Sequence, residues 1–324
     1  MRYLFLTKSA DDPATRYRVD PIVNALRQRG DTVDLVPEAT TAQQLSCLVH
    51  ASRYDLVFVQ RKLFSSAIAR LLGVRARRLV FDCDDAIFLR SSGKPSTTRR
   101  ARYSAITRAA DLVLCGNSYL CEMARQEGAA AELVPTSVDT ARYAPRSKPE
   151  TPVSLVWIGS RSTSRYLEEY RSILEAVGAA IPGLELRIIS NFELTFDNLA
   201  VISVPWSEAT EAEALAMSHI GIAPMSDDPW TRGKCALKVI QYMAAGLPVV
   251  SSDVGANSDV IVDGVTGILA DTEDDWIWAV RQLVESAGLR QDMGAAGRQQ
   301  AESSYSMAAC VQQVTALLDQ LTNQ

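Results

Sequence analysis

Apolar residues in this chain fall into short dense runs. They are YLFLT (3–7), TVDLV (32–36), DLVFVQ (55–60), RLVFDC (78–83) and DLVLCG (111–116), then VSLVWIG (153–159), LELRIIS (184–190), LAVISVPW (199–206) and HIGIAP (219–224). Between them lie segments whose apolar positions recur three and four apart, the period of an amphipathic helix. Near-continuous apolar strands alternating with helices predict an α/β chain built on parallel, doubly wound sheets. Ligands bind such sheets beyond the C-terminal strand ends, so the loops after Thr7, Gln60, Cys83 and Cys115 are expected to face a cleft. Asp20 and Pro21 read as the N-cap and first residue of a helix that closes at Gly30. After Gly267 the pattern is helical to the end, in EDDWIWAVRQLVESA, LRQDMGAAGRQQAESSY and SMAACVQQVTALLDQL.

The stretch 224–267, PMSDDPWTRGKCALKVIQYMAAGLPVVSSDVGANSDVIVDGVTG, reads in three pieces. A polar loop (226–233) leads into an amphipathic helix from about Lys234 to Ala245, and a buried strand follows at 248–252. Gly246 suits the helix C-terminus and Pro248 stops the helix, which fixes its N-terminus beside the polar loop. Backbone N–H groups and the helix dipole favour a phosphate at that end, and Lys234 and Lys238 lie one turn apart beside it. On periodicity alone, a plain helix–strand unit with two solvated lysines reads the same.

The order K-x-x-Q-Y-M-A-A-G-L-P-V-V-S-S-D-V-G, then D-G-V-T-G-I-L-A, resembles the donor-binding segment of the family 4 (group 1) retaining glycosyltransferases. That family implies a GT-B fold, two Rossmann-like doubly wound domains facing across a cleft, with a C-terminal helix crossing back to the N-terminal domain. The expected division is 1–148 for the acceptor side, 149–305 for the nucleotide sugar and 306–324 for the returning helix, with RSKPETP (146–152) as linker. In the family a Glu-x7-Glu pair straddles the helix start, contacting the donor sugar and the ribose. The matching positions here are Gly233 and Gln241, as in a sub-branch that carries GKC and QYMA. Gln241 can still hydrogen-bond a ribose, and Asp227 or Asp228 can replace the missing sugar-hydroxyl acceptor. The resemblance places a phosphate loop at Gly159, Ser160, Arg161 and Thr163, with a helix starting near Thr163, and the nucleotide base near Trp206. A Ser/Thr N-cap or a core Trp would give the same letters.

Two loops of the first half carry charge at strand ends. Arg16 and Arg18 are forks suited to phosphate or carboxylate on the acceptor side, or simply solvated. Asp82, Asp84 and Asp85 crowd three carboxylates into four positions, which like-charge repulsion disfavours unless they have work to do. They could cap the next segment, bind a cation, or hold sugar hydroxyls and orient an acceptor. D-x-D-D resembles an element of the same glycosyltransferase sub-branch, which implies the sugar or acceptor role for Asp84 and Asp85, with Lys234 completing the catalytic set.

Charge sharpens the division. Residues 1–150 carry 23 Lys+Arg against 16 Asp+Glu, a net of +7; the remainder carries 10 against 22, a net of −12. A basic first half suits a glycan or lipid-linked acceptor with phosphate, or peripheral contact with an anionic membrane through the basic segment 91–110. No apolar run is long enough to span a membrane and no signal-peptide core opens the chain, so a cytoplasmic enzyme is expected, with room for contact at the inner membrane face. Six scattered cysteines and two histidines give no metal or disulfide pattern. Nothing fits G-x-G-x-x-G or suggests nucleic acid, so neither metal nor cofactor is expected besides a nucleoside-diphosphate sugar as substrate. The expected function is transfer of that sugar to a hydroxyl, with retention, in cell-envelope or exopolysaccharide assembly. A non-catalytic nucleotide-sugar-binding protein and an epimerase or sugar-phosphate synthase of the same fold are the alternatives.

Overall fold

The computed structural model describes residues 1–323 apart from 8, 10, 11, 13 and 38–40, with backbone alone for 41–45. The polar loop expected after the first strand lies in part outside the described residues. Among those described, two six-stranded sheets form, and every pairing in them is parallel. The first contains β1 (Arg2–Thr7), β2 (Thr32–Pro37), β3 (Leu56–Gln60), β4 (Leu79–Cys83), β5 (Leu112–Cys115) and β6 (Ala131–Leu133), in the order β2-β1-β3-β4-β5-β6. The second contains β7 (Ser154–Ile158), β8 (Glu185–Ser190), β9 (Ala200–Pro205), β10 (Ile220–Ala223), β11 (Val249–Ser251) and β12 (Gly267–Leu269), in the order β12-β11-β10-β7-β8-β9. Strand order reverses between β1 and β3 in one sheet and between β7 and β10 in the other, which opens a crevice at those C-terminal ends.

Strands β3, β4, β5, β7 and β10 are buried along their whole length, as crossover helices on both faces require. On one face of the first sheet, Leu4, Val57 and Phe81 pack under the helices Ser66–Arg75 and Thr97–Ala109. On the other, Tyr3, Phe5 and Phe58 meet the helix Asp20–Gln28 and the C-terminal helix Met307–Thr322, which contributes Cys310, Val314 and Leu318. The chain divides into two compact units. One is Met1–Ser137 with Asp228–Cys235 and Met307–Gln324; the other is Val138–Asp227 with Ala236–Ser306. The last helix therefore returns to the first unit, the segment 146–152 belongs to the second, and residues 228–235, from the polar loop into the start of the predicted helix, belong to the first.

Local reading fails at the first helix. Asp20 is not its cap, because a π-helical turn at Thr15–Val19 precedes it and burial of Thr15, Tyr17, Arg18 and Val19 holds those residues helical. His219 is a packed ring at the start of β10. Its Nδ1 accepts from the Ser154 N–H (3.1 Å), so Nε2 carries the proton and donates to Pro149 O (2.8 Å), and burial lowers its pKa.

Candidate functional site

At the C-terminal ends of β1, β3 and β4 the first unit gathers a charged cluster. Register sets Gln60 beside Asp82, and Arg61 follows at once with φ +51, a left-handed conformation that costs a non-glycine residue about 1–3 kcal/mol. That bend accompanies a guanidinium directed at three carboxylates: Asp85 at 2.6 Å, Asp84 at 3.2 Å and Asp12 at 3.6 Å. Asp84 above all, with Asp85 and Asp12, holds the Arg61 pKa above its ordinary value against the opposing effect of burial. Asp85 is shared, its other oxygen accepting from Lys234 Nζ at 3.0 Å, while the ammonium also lies 4.4 Å from the Trp230 ring. Among the described residues no group of three His, Cys, Asp or Glu gathers as a metal site.

The two arginines of the first loop part company. Arg18 is 3 % exposed and grips Asp82 through Nε and Nη2 (3.0 and 2.6 Å), with Nη1 donating to Val134 O at 2.8 Å. Burial alone would lower its pKa, but Asp82 holds the guanidinium above its ordinary value. Arg18, expected as a phosphate fork, thus has its donors on Asp82 and Val134 O inside the first unit. Arg16 is half-buried, stacks on Tyr17 at 4.4 Å and donates to the Tyr17 hydroxyl.

Lys234 does not open the predicted helix. The helix is Leu237–Ala244, and Ala236 before it is left-handed at φ +50 with no side-chain cap. Tertiary contacts hold the preceding residues in the first unit: Asn117 Nδ2 donates to Arg232 O (2.9 Å) and Lys234 O (2.7 Å), and Cys235 Sγ to Asp84 O (3.1 Å). Gly116 makes room for Cys235, since a Cβ there would lie 2.3 Å from its sulfur. Gly233 has the same kind of reason. A Cβ at 233 would come within 2.5 Å of Ala86 Cβ and 2.8 Å of Ala86 N, so the family's first carboxylate has no space. Gly233→Glu, which restores the family letter, is accordingly expected to lower stability by about 1–3 kcal/mol through overpacking and to give no gain in turnover. A thermal melt beside an activity assay checks this, and an unchanged midpoint with higher activity would refute it. Asp228 caps the same turn, Oδ1 accepting from the N–H groups of Trp230 (2.6 Å) and Thr231 (2.8 Å), which commits one of its oxygens to the backbone.

In the second unit the loop after β7 is a compact hydroxyl turn. Thr163 N–H donates to Ser160 O (2.9 Å), Thr163 Oγ1 accepts from Ser160 N–H (3.2 Å), and the Ser160 and Ser162 hydroxyls pair at 2.8 Å. The helix predicted from Thr163 starts at Arg165 and breaks at Tyr170. Gly159 donates to Ile189 O (3.1 Å), Arg161 lies 5.9 Å from the Phe192 ring and Lys238 5.2 Å from the Trp157 ring. Gln241 is buried and donates to the Tyr143 hydroxyl at 2.8 Å. Tyr143 donates to Glu211 Oε1 at 2.6 Å, and Trp206, 37 % exposed rather than core, donates to Glu211 Oε2 at 2.7 Å. This accounts for the amide at 241: a second carboxylate would share a buried site with Glu211, and like charges there raise each other's cost.

Sequence reasoning missed Arg61, Trp230, Tyr143 and Glu211. Only Arg61 had a local signal, its place directly after a buried strand at the point where strand order reverses.

The region 141–286 contains the hydroxyl turn, Trp206, Glu211 and Gln241, and this is the part that is recognised. Residues 141–286 match the family model of the group 1 glycosyl transferases. D-inositol 3-phosphate glycosyltransferase of Corynebacterium diphtheriae is 35% identical over 80 residues, 24% of this chain and 18% of that protein. The same enzyme of Paenarthrobacter aurescens is 41% identical over 69 residues, 21% of this chain and 17% of that protein. These alignments thus span less than a fifth of either relative. Solved structures align throughout. Sucrose-phosphate synthase from Thermosynechococcus elongatus gives a TM-score of 0.76 at 15% identity, covering 99% of both chains. Anabaena HepE in complex with UDP-glucose gives 0.70 at 15% identity, covering 99% of this chain and 100% of that one. The fold is GT-B-like.

Proposed function

We propose that the chain is a retaining glycosyltransferase, carrying a sugar from a nucleoside diphosphate to an acceptor hydroxyl in cell-envelope or exopolysaccharide assembly. The observation that carries this reading is the match to the group 1 glycosyl transferase model over 141–286, the stretch that holds Ser160, Thr163 and Gln241. In this reading the diphosphate lies at the ends of β7 and β10 near Ser160, Arg161, Thr163 and Lys238. The ribose lies beside the Gln241–Tyr143–Glu211 chain, where Glu211 supplies the carboxylate absent at 241, and the base lies near Trp206. Asp84 and Asp85 orient the acceptor hydroxyl, and Lys234 balances charge on the leaving diphosphate.

Catalysis is then electrostatic and positional. The glycosyl–phosphate bond breaks as the acceptor oxygen approaches the same face of the sugar, and the acceptor proton passes to the departing phosphate oxygen. Ammonium and guanidinium groups supply the countercharge, so neither metal nor cofactor enters the proposal. UDP is the first base to test, since HepE was solved with UDP-glucose. A ligand that binds only the folded state raises the melting midpoint by mass action. UDP and a UDP-sugar are expected to raise it while free glucose does not, with GDP and ADP as comparisons. If no nucleotide moves the midpoint, the donor assignment fails.

A further inference from the structure

The first unit holds a groove of 440 Å³ that the donor does not occupy in this reading, lined among others by Arg61, Lys62, Asp85, Arg99, Arg102 and Trp230. Its volume falls within the range of about 300–1,000 Å³ usual for small-molecule sites. Its charge is unbalanced. Arg61, Lys62, Arg99, Arg102 and neighbouring Lys234 are five cations against Asp12, Asp84 and Asp85, which leaves a net charge of +2. Arg61 and Lys234 pair with those carboxylates. Arg102 is exposed and makes no hydrogen bond or ion pair among the described residues, and Arg99 gives one N–H to Ile87 O at 3.2 Å.

The surrounding sequence deepens the imbalance. From 61 to 110 there are twelve Lys+Arg and three Asp, and all three Asp lie at the end of β4. The helix Thr97–Ala109 has no acid in its first turn, although that end of a helix favours negative charge; Arg99 and Arg100 stand there instead, and Arg102 follows in the second turn. Arg100 finds Glu127 at 2.8 Å, whereas Arg99 and Arg102, three positions apart on one helix face, both line the groove. Local stability argues against this placement. A bound dianion at the groove would offset both the net charge and the conflict with the dipole.

We propose that this groove binds a phosphate on the acceptor, a phosphomonoester or a diphosphate carried by a sugar or a lipid, with the hydroxyl to be glycosylated toward Asp85. The assignment rests on the glycosyltransferase reading and gives its acceptor a chemical class. Trp230 supplies an apolar wall for a sugar face, and Arg99 and Arg102 supply planar forks for the phosphate oxygens.

The full-length protein is titrated with glucose 6-phosphate and with glucose, and is co-sedimented with phosphatidylcholine vesicles with and without phosphatidate. Binding to a phosphate-bearing probe but not to its neutral counterpart is expected. Arg102→Glu and Arg99→Ala/Arg102→Ala should each weaken that binding at least tenfold. Arg102 has no partner to lose, so its variant keeps the inference testable if the double variant misfolds. Binding of the sugar phosphate alone identifies a soluble acceptor; binding of phosphatidate vesicles alone identifies a lipid-borne one. The inference is overturned if neither phosphate probe binds, or if folded Arg102→Glu binds as wild type. UDP binding by the wild-type protein is measured in parallel. Its loss would refute the donor reading, whereas UDP binding without phosphate binding refutes only the acceptor class.

Discussion

Lys234→Ala is expected to lower sugar transfer by about 10²–10³-fold, the usual cost of removing one preorganised donor from developing negative charge. The melting midpoint should change little. The ammonium is partly exposed and pairs with Asp85, yet Asp85 keeps Arg61 at 2.6 Å and the Ala86 N–H at 3.2 Å, so no bare buried carboxylate remains. The backbone at 234 stays tied, because Asn117 holds its carbonyl rather than its side chain. Release of nucleoside diphosphate from a donor, followed with and without acceptor, measures the loss. Lys234→Arg should recover part of the rate if charge alone is required. A fully active alanine variant would remove Lys234 from the chemistry.

The inner strands of both sheets were readable to within a residue or so, because parallel strands buried on both faces must be apolar throughout, whereas the short edge strands β6 and β12 were not, and β12 forms where the pattern predicts helix. Helix starts were less readable. The amphipathic spacing around Lys234, Lys238 and Gln241 points to a helix from Lys234, but the backbone there obeys Asn117 and the Asp84 carbonyl, which lie far back in the chain. Gly233 and Gln241 stood out as departures from a family pattern. Their reasons are contacts no local window contains: Ala86 against one and the Tyr143–Glu211 pair beside the other. The Asp82, Asp84 and Asp85 cluster was legible as unusual. What divides it was not, since Arg18 pairs with Asp82 while Arg61 and Lys234 pair with Asp85. Three acids within four positions thus play different parts because of partners supplied by distant segments of the chain.

That division makes the largest stability effect predictable. Arg18→Met leaves Asp82, 1 % exposed, without its guanidinium, and the Val134 carbonyl without a donor. Removing one partner of a buried pair costs about 3–5 kcal/mol, because the remaining charge stays desolvated. At roughly 2–4 °C per kcal/mol for a domain of this size, the midpoint should fall by on the order of 10 °C. A phosphate fork facing solvent would behave differently, since its loss would weaken ligand binding and leave the melt unchanged. The double variant Arg18→Met/Asp82→Leu separates the two. With both charges gone the desolvation cost disappears, and most of the lost stability should return, as for other buried ion pairs replaced by apolar side chains. A double variant no more stable than Arg18→Met would show that the Val134 contact, not the ion pair, holds this end of the sheet.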